Sequence, residues 1–124
     1  MSALAPILAV DDSAPIREMI VTVLSPRGHR VATAANGREA LLRLSMTVEP
    51  HIVLLDVVMP ILDGVGVCQE IEQDERLRAA GHRIILMSTS PRLASADIPA
   101  AAGQLIKPFS RQQLIAAVNA IPFM

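Results

Sequence analysis

The sequence predicts a doubly wound α/β domain, a parallel sheet covered by helices on both faces. Three observations lead there. Five short strand-type runs alternate with helical patterns. Two of the runs, "IVLL" and "IILM", are apolar at every residue, as strands buried on both faces are. Charged or hydroxylated residues stand at the carboxyl ends of four of the five runs. A chain of 124 residues, 52% hydrophobic and 19% charged, has the size and balance of one soluble core, so residues 1–124 are read as a single domain.

The elements follow in order. Ile7 to Val10 is the first strand. Ile16, Met19, Ile20, Val23 and Leu24 mark one face of a helix, with Pro15 suited to its first turn and Gly28 to its C-terminal cap. "HRVATAA" is a weak second strand, and Asn36 is placed to cap a helix carrying Ala40, Leu41 and Leu44. The third strand, "IVLL", runs into Asp56, and after "MPILDG" one helix with Val67, Ile71 and Leu77 inward is expected. Gly81 leads into "IILM". The segment "STSPRLASADIPAAAG" holds two prolines and few large apolar residues, which predicts a short or irregular helix between Thr89 and Gly103. "QLI" is the fifth strand, and Ser110 with Gln113 forms a capping box before Leu114, Ile115, Val118 and Ile121.

Composition narrows the function. The formal net charge is −1 and the ten arginines are scattered, so no basic footprint argues for nucleic acid. One cysteine, Cys68, excludes an internal disulfide and suits a reducing compartment. The apolar opening "LAPILAV" is too short to span a bilayer and lacks the basic start and cleavage site of a signal peptide, so a cytoplasmic location is expected.

In a doubly wound sheet, ligands bind beyond the carboxyl ends of the strands where the strand order reverses. Asp11 and Asp12 end the first strand, Asp56 the third, Ser88 the fourth and Lys107, the sole lysine, the fifth. Each has an ordinary explanation taken singly: Asp12 or Ser13 as a helix cap, Ser88 as a turn residue, Asp63 as a turn former before Gly64. Together they converge on one edge. Three carboxylates in one crevice repel, so either their pKa values rise or a cation is present. The donors are all oxygen, which favours a hard ion such as Mg²⁺ over zinc. Lys107 would supply a compact positive charge for a phosphate oxygen and Ser88 a hydrogen bond to another.

"VDDS", "LLDVVMPILDG", "IILMS" and "IKPF", in that order, resemble the receiver domain of two-component response regulators, of the stand-alone chemotaxis-regulator type. The resemblance covers nearly the whole chain. It implies a five-stranded parallel sheet of flavodoxin-like order 2-1-3-4-5 with about five helices. It further implies that Asp56 takes a phosphoryl group from a phosphohistidine on a histidine kinase or histidine phosphotransfer protein. The chain would then be no conventional enzyme, catalysing only its own phosphorylation and dephosphorylation and changing its binding to a downstream protein. Asp12, Asp56 and the backbone carbonyl of Val58 would hold Mg²⁺, with Asp11 direct or through water. Lys107 would pair with Asp56 and then with the phosphoryl oxygens, and Pro108 would follow a cis bond.

Two features depart from the family pattern. Gln104 stands where an aromatic switch residue is usual, and the stretch from Ser88 to Lys107 is short. Ser88 is taken as the switch hydroxyl, with Thr89 the runner-up by a one-residue shift. No effector domain fits after the last helix near Ile121, so the leading expectation is a single-domain switch. The alternative is a receiver-like module that binds its partner regardless of phosphate. A dehalogenase-type phosphohydrolase would need a second aspartate where Val58 stands, and a flavin phosphate would be repelled by "DDSAP".

Overall fold

The computed structural model describes residues 4–90 and 101–122. Its elements are β1 (Ile7–Val10), α1 (Ala14–Leu24), a 3₁₀ turn (Ser25–Arg27), β2 (Val31–Ala34), α2 (Gly37–Ser45), β3 (Ile52–Asp56), α3 (Gly64–Gln73), α4 (Glu75–Ala79), β4 (Arg83–Ser88), β5 (Ala101–Ile106) and α5 (Arg111–Asn119). All strand pairs are parallel, in the order β2-β1-β3-β4-β5. The chain thus builds outward from β1 to β2, then crosses to lay β3 on the other side of β1. The reversal point lies between the ends of β1 and β3.

Alternation along the strands divides the core into two layers. Leu8, Val10, Val53, Leu55, Ile84 and Leu86 meet α2, α3 and α4 through Ala40, Leu44, Val67, Ile71 and Leu77. Ile7, Ala9, Leu54, Ile85, Met87 and Leu105 meet α1 and α5 through Ile20, Val23, Leu24, Leu114 and Val118. Each large apolar side chain buried in this way contributes about 1.5–3 kcal/mol, enough for the two layers to dominate stability. No helix among the described residues is long and apolar enough to cross a membrane.

The expected caps are present. Asn36 accepts from the Glu39 N–H at 2.9 Å, and Ser110 and Gln113 close their box reciprocally at 3.1 and 2.8 Å. Gly28, at φ 100°, terminates the 3₁₀ turn that follows α1 and not α1 itself. Two further expectations need correction. The single helix expected from Gly64 through Leu77 is two, because Asp74 adopts extended geometry and its side chain accepts from the Leu77 N–H at 3.0 Å. A capping aspartate inside an apolar period ends one helix and begins another. The fifth strand is longer than "QLI": Ala101 to Gly103, expected to belong to the irregular stretch, pair with Ile84 and Ile85 across a register shift. Small residues with little strand preference of their own join because β4 presents an open ladder. The core of the predicted irregular helix, residues 91–100, lies outside the described residues.

Close approach dictates the glycine where α3 meets the end of β3. A Cβ at Gly64 would lie 2.6 Å from the Asp56 carbonyl oxygen and 2.9 Å from the Val57 Cα, where α3 begins against the end of β3. The Gly64 N–H donates to the Val57 carbonyl at 2.9 Å, so the two segments cannot separate without loss. Gly64→Ala is expected to destabilise the fold by about 1–3 kcal/mol in urea denaturation. A variant with unchanged midpoint and slope would show that this packing is not required.

Candidate functional site

The site is assembled from three strand ends. Asp11, the first residue past β1, is fully buried. Its backbone N–H donates to the Ala34 carbonyl of β2 at 3.1 Å, and its Oδ1 accepts from the Ser13 N–H at 2.9 Å. Ser13 in turn caps α1, accepting from the Ile16 N–H, so the turn that aims Asp11 is also the start of the helix. Asp12 follows and is exposed. Asp56 closes β3 and is 5% exposed. The next residue, Val57, extends the sheet by donating to the Met87 carbonyl at 3.0 Å, and the Val58 backbone N–H faces the Asp56 carboxylate. On the far strand, the Lys107 N–H donates to the Ser88 carbonyl at 2.8 Å, continuing the β4–β5 ladder, and the Lys107–Pro108 bond is cis.

Lys107 reaches across the strand ends to two carboxylates. Its Nζ donates to Asp11 Oδ2 at 2.7 Å and lies 3.3 Å from Asp56 Oδ1. Carboxylate oxygens of Asp11, Asp12 and Asp56 lie within 4.8 Å of one another. The electrostatics follow. Burial, and then the charge of Asp11, push the Asp56 carboxyl up to about 6 against the pull of Lys107 and the Val58 N–H. For Lys107, burial works to lower the pKa, but the hydrogen bond and charge of Asp11, then those of Asp56, outweigh it and leave it raised. The ammonium therefore stays charged, and the cluster keeps a surplus of negative charge: three carboxylates against one ammonium. An all-oxygen donor set of this charge fits a hard divalent cation.

The remaining expected residues fall at different distances from this cluster. Ser88 is buried at the end of β4, yet its hydroxyl donates to the Ser90 carbonyl and accepts from the Ser90 N–H, both at 3.0 Å. Thr89 is exposed, and so is Gln104 on β5. Asp63 stands apart as the cap of α3, accepting from the Gly66 N–H at 2.8 Å. Lys107 is not the exposed strand-end charge its position suggests: its side chain is 17% exposed because it lies along the cluster. Its shorter contact is with Asp11 and not Asp56. Sequence reasoning also missed Arg17, whose Nη1 donates to the Asp11 carbonyl at 2.8 Å. The available signal was its place one helical turn past the Ser13 cap, from which a side chain leans back over the loop.

The response regulator receiver domain profile matches residues 7–119. This chain belongs to the response regulator receiver domain family. It is 39% identical to the probable transcriptional regulator ycf27 of Guillardia theta, over 93% of this chain and 44% of that protein. The receiver domain thus spans less than half the length of that curated relative. Among solved structures, the chemotaxis response regulator CheY4 of Vibrio cholerae is similar at a TM-score of 0.83 and 29% identity, covering 94% of this chain and 98% of that one. The response regulator TrrA of Thermotoga maritima, in complex with Mg(2+)-BeF, is similar at a TM-score of 0.79 and 30% identity, covering 94% and 97%.

The raised Asp56 carboxyl makes a pH-dependent stability. Between the unfolded value of roughly 3.9 and the folded value, the folded receiver domain holds a proton that the unfolded chain has released, so stability falls as pH rises through this window. The loss is complete above about 6. Without divalent cation, Asp56→Asn is expected to be more stable than the wild type at pH 7.5 by on the order of 1–3 kcal/mol and to lose the slope between pH 4 and 6. Urea unfolding across pH checks both, and a less stable variant at pH 7.5 would contradict the assigned strain. Lys107→Ala should act oppositely, lowering stability at neutral pH, because it leaves two buried carboxylates without their shared cation.

Proposed function

We propose that this receiver domain is a phospho-accepting switch in a two-component system or phosphorelay, with Asp56 as the acceptor. The observation that carries the proposal is the convergence of Asp11, Asp12, Asp56 and Lys107 at the strand-order reversal, with the lysine within reach of two carboxylates. Near neutral pH Asp56 is largely ionised, so a carboxylate oxygen is available as a nucleophile. It attacks the phosphorus of a phosphohistidine on a histidine kinase or phosphotransfer protein. The new bond joins the Asp56 oxygen to phosphorus, the phosphorus–nitrogen bond breaks, and the ring, protonated on its other nitrogen, leaves with that electron pair as neutral imidazole.

A bound Mg²⁺, for which Asp12, Asp56, the Val58 carbonyl and Asp11 are the candidate ligands, would neutralise negative charge on the transferring group. The Mg(2+)-BeF complex of the similar TrrA chain supports this choice of ion. Lys107 needs little movement to exchange its Asp56 contact for a phosphoryl oxygen, since its other contact, with Asp11, holds it at the site. Ser88 is the candidate hydroxyl that reads the phosphoryl group. Its burial at the strand end favours it over exposed Thr89, and to act it must exchange both bonds to Ser90.

The output reaches a downstream protein partner, and the formal charge of −1 favours protein over nucleic acid. The buried free thiol of Cys68 is compatible with a reducing cytoplasm. We read the chain as one receiver domain. Exposed Gln104, in place of an aromatic residue, favours one competing reading: a module whose binding ignores phosphate. Intact mass after incubation with a small phosphodonor separates the two. One added phosphoryl group is expected in the wild type with Mg²⁺, none in excess chelator and none in Asp56→Asn. Equal labelling of Asp56→Asn would overturn the acceptor assignment. In the same assay Lys107→Ala should label more slowly, by an amount corresponding to about 1.5–3 kcal/mol for a lost charge-assisted contact.

A further inference from the structure

We infer that Arg17 is a positioning residue for the cation site, holding the Asp11–Asp12 peptide so that both carboxylates face Asp56. The inference rests on the Mg²⁺-dependent reading of the site. Asp11 is the first residue beyond the β1 ladder, and its own contacts fix it from three directions: Ala34 at its N–H, Ser13 at Oδ1 and Lys107 at Oδ2. The peptide leading to Asp12 is the joint that remains. Its carbonyl, that of Asp11, accepts from Arg17 Nη1 at 2.8 Å. Asp12 itself is exposed and accepts no hydrogen bond among the described residues. The direction of its carboxylate is therefore set by the peptide that carries it.

Local structure explains how the arginine arrives there. Ser13 caps α1, and the Arg17 N–H donates to the Ser13 carbonyl at 3.1 Å. Helical side chains lean toward the N-terminus, so a residue at this place reaches back over the loop it follows. Helix energetics argue against a cation there, since the N-terminal end of the helix dipole is positive. Among the described residues Arg17 forms no ion pair, and it is half-buried. Its planar, multi-donor head is instead spent on one main-chain carbonyl beside the acidic cluster. Groups one layer outside a metal's ligands act by orienting them, and their loss weakens metal binding about 10–100-fold.

The test turns on a sign. If Arg17 acted only through its charge, Arg17→Met would remove a repulsion and tighten Mg²⁺ binding; if it positions the peptide, the same change weakens it. Apparent Mg²⁺ affinity is read from the rise of the thermal midpoint with Mg²⁺ concentration, without any transfer reaction. Arg17→Met is expected to bind Mg²⁺ about tenfold more weakly, and Arg17→Lys, which keeps the charge with a simpler donor, to fall between it and the wild type. Labelling by a small phosphodonor should be slow at low Mg²⁺ and recover at saturating Mg²⁺. Wild-type or tighter Mg²⁺ binding by Arg17→Met would overturn the inference, as would a labelling loss that no Mg²⁺ concentration restores. Should Arg17→Met lose its circular-dichroism signature of folding, Arg17→Leu, which likewise has neither charge nor donor, makes the same comparison. A wild type that neither binds Mg²⁺ nor takes a phosphoryl group would instead defeat the underlying reading of the site.

Discussion

The Lys107 ammonium, shared between the Asp11 and Asp56 carboxylates, is the interaction on which the site depends. It ties the end of β5 to the ends of β1 and β3 across the whole carboxyl edge of the sheet. Buried charges are tolerated only when paired, and here one cation serves two anions while a third anion stands beside them. The compensation is incomplete, as the raised Asp56 carboxyl records. A cluster left in this state has electrostatic energy to release on meeting a divalent cation. It also has an ammonium ready to turn toward an incoming anion. Receptivity to a phosphoryl group and residual strain are two aspects of one charge arrangement.

The fold makes that arrangement durable. Leu54, Leu55, Leu86 and Met87, each with essentially no solvent exposure, lie directly beneath the charged groups, and helices close both faces of the sheet over them. The close approach of α3 at Gly64 braces the turn after Asp56, while the Ser13 cap and Arg17 brace the turn after β1. The acidic edge is thereby held by groups that need not touch a ligand. The Ser88 hydroxyl, satisfied by Ser90, is the contrasting case. Its bonds are local, within a turn to Ser90.

Much of this was legible in the sequence because the signals are local. Strand alternation, the Asn36 and Ser110 caps and the strand-end placement of Asp11, Asp12, Asp56 and Lys107 each follow from neighbours within a few residues. Most of what escaped depends on contacts between distant segments; the helix break at Asp74 is the local exception. Asp74 reads as one more polar residue in a helical period until its own side chain caps α4. Ala101 to Gly103 carry no strand signal and pair only because β4 is beside them. Lys107 is legible as a strand-end charge, but its burial comes from carboxylates 51 and 96 positions earlier. Its preference for Asp11 over Asp56 is a matter of tenths of an ångström that no spacing rule supplies.

The central claim is that burial, with the charge of Asp11 beside it, raises the Asp56 carboxyl until a cation relieves it. Titration of the Asp56 side-chain carboxyl by NMR, in cation-free buffer and in excess Mg²⁺, measures this directly. The account predicts a midpoint of about 6 without the cation and a fall of about one unit or more with it. An ordinary carboxylate midpoint in cation-free buffer, or a raised one that Mg²⁺ leaves unmoved, would contradict it.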